Sequence, residues 1–294
     1  MEDKQFYIHI GIHKTGTTSV QRMFFLNRPY FENLGLLYPT KSIWRGGHHN
    51  IAWQILKDER FKDNYGDIDN LKNEIEKKYV SKCLLSSEDF SRFGFKDVEK
   101  LYQLFKKYKP KVIISIRNQF DYIVSSWSTV VRNESTDASF NQYYKFCMRK
   151  RLNLLKYDIF LKSWEEVFGQ ENILINIYNK GLGLNLYKNF LKILLLRNDI
   201  EELNITERVN ESLPLQELNV IRILNKNKLG LENKKRTPFI EDLIFEINQN
   251  YVVRKSIVEP KNRLRLRKET DDFFEESNHK VALEYFNRER LFLE

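Results

Sequence analysis

The sequence predicts an α/β fold, a parallel β-sheet flanked by helices with a helical C-terminal part. Short apolar runs of strand character fall at 5–10, 35–39, 82–86, 111–116 and 172–177. Helical patterns lie between them, near 17–27, 50–59, 68–79, 96–107, 119–132 and 139–168. This alternation is the mark of βαβ units, whose sheet is covered on both faces and whose ligands sit at the carboxyl ends of the strands. After about residue 182 the strand pattern stops, and helical patterns follow at 184–196, 215–228, 238–254 and 270–291, joined by polar links such as 198–199 and 231–235. A single domain over 1–294 is expected, with an α/β core at 1–181 and a mostly helical part at 182–294.

The first strand, Phe6–Ile10, runs into Gly11-Ile-His-Lys14-Thr15-Gly16-Thr17-Thr18-Ser19 and then into a helical pattern containing Val20, Phe24 and Phe25. A Gly/Thr-rich turn between strand and helix aims backbone N–H groups and a helix N-terminus at one spot, which suits a phosphate. The loop of ATPases and GTPases reads GxxxxGK[ST]. Here Gly11 and Gly16 keep that spacing, but Thr17 fills the lysine slot and the cation stands earlier, at Lys14. The loop is P-loop-like, yet built for something other than a Mg-nucleoside triphosphate.

The second strand leads into Arg45-Gly-Gly-His48-His49-Asn50, a glycine-rich loop carrying two adjacent histidines. The third, opened by Cys83, ends in Ser86-Ser87-Glu88-Asp89, which reads as a helix cap with acidic residues behind it. The fourth, Val112–Ile116, ends in Arg117-Asn118, with Ser125 eight residues after the arginine on a helical stretch. Arginine offers a donor fork matched to a phosphate, and serine adds a hydroxyl. The segment Ser163–Gly169 followed by Asn172–Tyr178 reads as helix, glycine stop and fifth strand.

Taken together, the displaced-lysine loop and the Arg117/Ser125 pair, in this order and about a hundred residues apart, resemble the two phosphate motifs of sulfotransferases that use 3′-phosphoadenosine 5′-phosphosulfate (PAPS). The likeness is to bacterial, carbohydrate-type members. It extends loosely to Ser163–Tyr178 and to the C-terminal stretch Glu276–Phe286, and departs at Gln119, where the family usually has proline. The resemblance implies that Lys14, Thr15, Gly16, Thr17, Thr18 and Ser19 hold the 5′-phosphosulfate, with Lys14 also catalytic, and that Arg117 and Ser125 read the 3′-phosphate. It further implies PAPS as co-substrate, no metal, and in-line transfer of a sulfuryl group to a hydroxyl of a carbohydrate or glycolipid. The acceptor needs a base; His48, His49 and Glu88 stay open as alternatives, Asp89 stands behind them, and the histidines are slightly favoured because a flexible Gly-Gly loop costs them little desolvation. Arg208 is a candidate for a closing loop over the 3′-phosphate.

A P-loop kinase would need lysine at Thr17 and a carboxylate on the 113–116 strand, and the chain has neither. A non-catalytic polyanion binder is the remaining alternative. The formal charge of +9 is concentrated at 222–268, where 13 Lys/Arg face five Asp/Glu. That stretch is either a solvated helical face or a contact for an anionic glycan or membrane surface. No zinc-finger spacing, RNP signature or aromatic-basic alternation accompanies it, so nucleic acid is not expected. No apolar run approaches the roughly 20 residues of a membrane span. Two cysteines and no leader-like start point to a cytoplasmic enzyme, peripheral to the inner membrane face at most.

Overall fold

The computed structural model describes residues 4–133, 136–179, 181–196, 203–205, 215–226 and 263–293. They fall into two compact units, one from 1–118, 156–209 and 277–294, the other from 119–155 and 210–276. The expected helix at 238–254, Arg208 and most of the basic stretch at 222–268 lie outside the described residues.

The first unit contains the sheet. Its strands are β1 (Gln5–Gly11), β2 (Leu36–Leu37), β3 (Lys82–Ser87), β4 (Lys111–Arg117) and β5 (Ile173–Tyr178), all parallel, in the order β2-β3-β1-β4-β5. All five expected strands are present. The edge strand β2 pairs over two residues only, because Pro39 has no N–H to give to a ladder. Continuous burial from Phe6 to Gly11 and from Val112 to Arg117 matches a sheet covered on both faces. Helices α1 (Thr17–Leu26) and α2 (Arg28–Asn33) follow β1. Sequence reasoning missed α2, which opens with Pro29 in its first turn, where the lost N–H costs nothing.

Next come α3 (His49–Leu56) and α4 (Ile68–Lys77) before β3, then α5 (Phe95–Phe105) before β4. In the first unit, α9 (Tyr157–Phe168) precedes β5 and α10 (Asn185–Ile193) follows it. One face of the sheet packs Tyr7, Leu84 and Ile113 against Val20, Met23 and Phe24 of α1 and Leu186, Phe190 and Leu191 of α10. On β1's alternate side, Phe6 stacks on Phe105 of α5 with ring centroids 4.8 Å apart.

The second unit holds α6 (Gln119–Arg132), α7 (Phe140–Lys150), α8 (Leu152–Leu155), α11 (Leu215–Lys226) and the first part of α12 (Arg263–Phe286). Trp127 is fully buried, packs on Phe140 and donates its indole N–H to Ala138 O at 3.0 Å, so it serves the core. Arg267 pairs with Asp121, and Thr270 donates to the Tyr144 hydroxyl at 3.1 Å. The single helix expected at 139–168 is three. Lys156 takes extended backbone (ψ 94°), and the next residue, Tyr157, donates its hydroxyl to Arg117 O at 2.5 Å. A tertiary bond outside the helix thus overrides a continuous helical pattern.

A polar chain crosses the apolar sheet. His9 Nδ1 meets Ser86 Oγ at 2.7 Å, His9 Nε2 meets Ser115 Oγ at 2.9 Å, and Asn176 Nδ2 donates to that same Ser115 oxygen at 2.9 Å. Four strands each contribute one member. Burial pulls the His9 pKa down to about 3, and that of His48, outside the chain, likewise to about 3. Desolvation is the main cause for His48, whose ring lies among Pro39, Ser86 and Tyr38. Both rings are therefore neutral in the fold but titrate near 6.5 when unfolded, so the unfolded chain binds more protons below that pH. Stability should be greatest above pH 6.5 and fall as pH drops from 6.5 towards 3. In His9→Gln, which cannot titrate, urea unfolding should show a slope in that window shallower by about 1.4 kcal/mol per pH unit; an unchanged slope would show that His9 is protonated in the fold.

Candidate active site

Strand β1 lies where the strand order reverses, with β3 on one side and β4 on the other, which is the ligand position of open parallel sheets. The register aligns Ile10 with Ser87 and Gly11 with Ser115. The carboxyl ends of three adjacent strands thus present, in one row, the segment beginning at Glu88, the 11–19 loop and Arg117. A Cβ on Gly11 would come 1.7 Å from Thr17 Cγ2, so only glycine lets the strand end and the helix start approach this closely. Lys14 (φ 73°) and Gly16 (φ 75°) are both left-handed, and a lysine held there is uncommon backbone of the kind that gathers at ligand sites.

Thr15 donates its hydroxyl to Ile12 O at 2.6 Å, closing the loop on itself. No side chain caps α1 at Gly16, and its first turn carries no acid, which leaves that helix end suited to an anion. Thr17 is buried beneath Gly11. Arg117 donates from a terminal guanidinium nitrogen to Lys14 O at 2.9 Å, and its guanidinium lies 5.1 Å from the Tyr178 ring. Tyr178 also bounds Gly16. Ser125 sits half-buried on α6, in the second unit.

The two histidines do not occupy an open loop. Arg45 (φ 49°) and Gly46 (φ 94°) make a tight turn bridged by Trp44 and Gly47, and both histidines are buried, His49 opening α3. The glycines serve close packing: a Cβ on Gly47 would come 2.6 Å from His49 Nε2 and 2.9 Å from Gln21 Cδ. His48 has both ring nitrogens engaged, Nε2 with Pro39 O at 3.1 Å and Nδ1 accepting from Ser86 N at 3.1 Å. His49 differs. Its Nδ1 lies 2.9 Å from Ser87 Oγ and 3.4 Å from Asp89 Oδ2, and its Nε2 lies 3.6 Å from Glu88 Oε2.

Glu88 begins a short 3-10 turn (Glu88–Arg92) capped by the Ser87 hydroxyl. Its side chain is 18% exposed against 5% for His49, so the carboxylate is the more open of the two. Behind His49, Asp89 accepts from Trp53 Nε1 at 2.9 Å and pairs with Arg60 and Arg92. Burial opposes its charge, but the interaction with His49, the charge of Arg60 and a hydrogen bond from Arg92 hold its carboxyl well below the usual carboxylate range. Asp58 joins the same two arginines, and its hydrogen bonds from Arg60 depress it similarly. Trp53 is spent on this cluster, stacking on His49. Sequence reasoning missed Gln21, Arg60, Arg92 and Tyr178; the Gln21 signal was its place one helical turn past Thr17.

The parallel sheet and its loops have a P-loop-like architecture, and likeness to known proteins gives the class. The sulfotransferase domain family matches residues 5–182, and the chain belongs to that family. It is a sulfotransferase enzyme, which removes the kinase and the non-catalytic binder. No curated protein matches the sequence. Among solved structures, it is similar to a sulfotransferase from Alicyclobacillus acidocaldarius (17% identity, 78% of this chain and 96% of that one, TM-score 0.45). It is also similar to mouse sulfotransferase SULT7A1 complexed with PAP (13% identity, 86% of this chain and 88% of that one, TM-score 0.40). Among the described residues no group of three His, Cys, Asp or Glu is arranged to hold a metal ion, and no helix is long and apolar enough to cross a membrane.

Gly47→Ala should leave a folded protein whose Glu88–His49–Gln21 cluster is displaced. We expect sulfuryl transfer to fall at least about tenfold with the affinity for adenosine 3′,5′-bisphosphate (PAP) unchanged, since a misplacement on the order of 1 Å in a catalytic constellation is costly. Steady-state kinetics beside calorimetric titration would check this.

Proposed function

We propose that this chain transfers the sulfuryl group of PAPS to a hydroxyl of a carbohydrate or glycolipid, with Glu88 as the base and His49 behind it. The observation that carries the reading is the row at the carboxyl ends of β3, β1 and β4, where Glu88, the Lys14 loop and Arg117 stand side by side. The left-handed Lys14 and Gly16 and the uncapped start of α1 fit a phosphosulfate. Arg117 and Ser125 would read the 3′-phosphate, and Lys14 with the amides of Thr15–Ser19 would hold the 5′ end. PAPS, when bound, supplies an activated sulfuryl group.

In the transfer, Glu88 takes the acceptor's proton as the acceptor oxygen forms its bond to sulfur. Lys14 stabilises the charge gathering on the bridging oxygen as the S–O bond to the phosphate breaks, the kind of preorganised electrostatics that dominates catalysis. The sulfate ester and PAP leave, and the proton on Glu88 passes to solvent. His49, held by Ser87 and Asp89, stands behind the carboxylate. His48 is a spacer between β2 and β3, because neither of its nitrogens is open. The half-buried Trp44 indole beside His49, with Arg45 stacked on it at 4.3 Å, supports a ring-bearing polar acceptor. A cytoplasmic place of action, with contact to an anionic glycan or inner membrane face through 222–268, completes the proposal and follows from the donor's cytoplasmic origin in bacteria and the charge of that stretch.

Three variants test it. Lys14→Ala should lower turnover by two to three decades, roughly 3 kcal/mol. Glu88→Gln should cost about 10²–10⁴-fold in rate with PAP binding kept. Arg117→Ala should weaken PAP by on the order of 2–5 kcal/mol, the cost of truncating a buried charged contact. Calorimetry in chelator should show PAP bound more tightly than ADP; equal affinities would overturn the donor assignment.

A further inference from the structure

Among the described residues two side chains reach the Glu88 carboxylate, and both reach the same oxygen. Gln21 Nε2 donates to Oε2 at 2.8 Å, and His49 Nε2 lies 3.6 Å from that atom. Among the described residues Oε1 receives no protein hydrogen bond, although the side chain is partly exposed. The orientation of the Gln21 amide follows from chemistry: an ionised carboxylate only accepts, so the amide's NH₂ end must face it. Gln21 itself is 1% exposed and pressed by the Gly47 turn, so its amide has little freedom to turn away. It also stands on α1, four residues after Thr17, on the helix that begins at the phosphate loop.

We propose that Gln21 is a positioning residue that holds Oε2 of Glu88 and leaves Oε1 directed to the acceptor hydroxyl, so that one rigid helix sets both the donor cradle and the base. The proposal rests on the reading of Glu88 as base. A carboxylate that accepts an N–H bond is stabilised in its charged form, and a second negative charge beside it does the reverse. Among the described residues, the titratable groups around Glu88 are His49 on α3, Asp89 next in the chain, and Tyr38 after β2, whose buried hydroxyl stays protonated.

The test uses the full-length protein and two substitutions, each checked for folding by thermal unfolding. Gln21→Met keeps the volume and removes the donor; Gln21→Glu places a carboxyl against Glu88. For Gln21→Met we expect kcat to fall about 10–100-fold, PAP affinity to stay within twofold, and the acid limb of the kcat profile to move to higher pH. For Gln21→Glu the limb should move further up, by about one unit or more. Glu88→Gln separates the two readings. If it retains normal turnover, Glu88 is not the base and the proposed function is wrong at that residue. If it abolishes turnover while both Gln21 variants keep the wild-type kcat and acid limb, the base stands and the role of Gln21 falls. A loss of PAP affinity in Gln21→Met without a change in the limb would also overturn it, by making Gln21 a prop for the loop alone.

Discussion

Parallel pairing of β1 with β3 on one edge and β4 on the other fixes everything that happens at the ligand end of this molecule. Because Ile10 is opposite Ser87 and Gly11 opposite Ser115, the chain leaves three neighbouring strands at nearly the same level. A slip of one residue in β3 would turn its side chains to the opposite face of the sheet and move Glu88 with them. The loop at 11–19 has little freedom of its own: Gly11 lies against Thr17, Gly16 against Tyr178, and Arg117 holds the Lys14 carbonyl. Cation placement here is a property of the sheet as much as of the loop.

The carboxylates beside the loop pose an electrostatic problem that the fold solves with distance and sign. Glu88 and Asp89 are adjacent in sequence but look in different directions. Asp89 turns inward to Trp53, Arg60 and Arg92, and Asp58 shares those arginines. This network satisfies the buried charge, since a buried carboxylate without partners is strongly disfavoured. His49 lies between the two acids and so experiences an ionised group on one side and an accessible one on the other. Polarity across the imidazole is thereby built in, from a locked acid to an open one.

Much of this was legible in the sequence, for definite reasons. Apolar runs of five or six residues separated by helical periods marked all five strands, and Gly11, Lys14 and Gly16 marked the loop because only certain residues close such a turn. The Arg117 position was readable as a charged residue at a strand end. What sequence could not carry was side-chain direction across distant elements. Nothing local tells that His48 turns to Pro39 and Ser86 while His49 turns to Ser87, or that Gly46 and Gly47 are there for close packing rather than freedom. Gln21 reads as an ordinary polar helix residue until its partner, 67 positions away, is known. The break at Lys156 was invisible for the same reason, being set by Tyr157 reaching Arg117.

The transverse chain of Ser86, His9, Ser115 and Asn176 also ties its members to one another. An amide NH₂ can only give, so Asn176 gives to Ser115, and the neutral ring of His9 gives to one of its two serines and accepts from the other. Four strands therefore share one run of hydrogen bonds, from β5 at the edge inward to β3. Such a set is heritable only as a block. Exchanging any one member for an apolar residue strands its neighbours in a dry layer, whereas exchanging all four together removes the demand. A chimera that grafts β5 from a relative onto this sheet would have to bring the matching residues of β4, β1 and β3 with it.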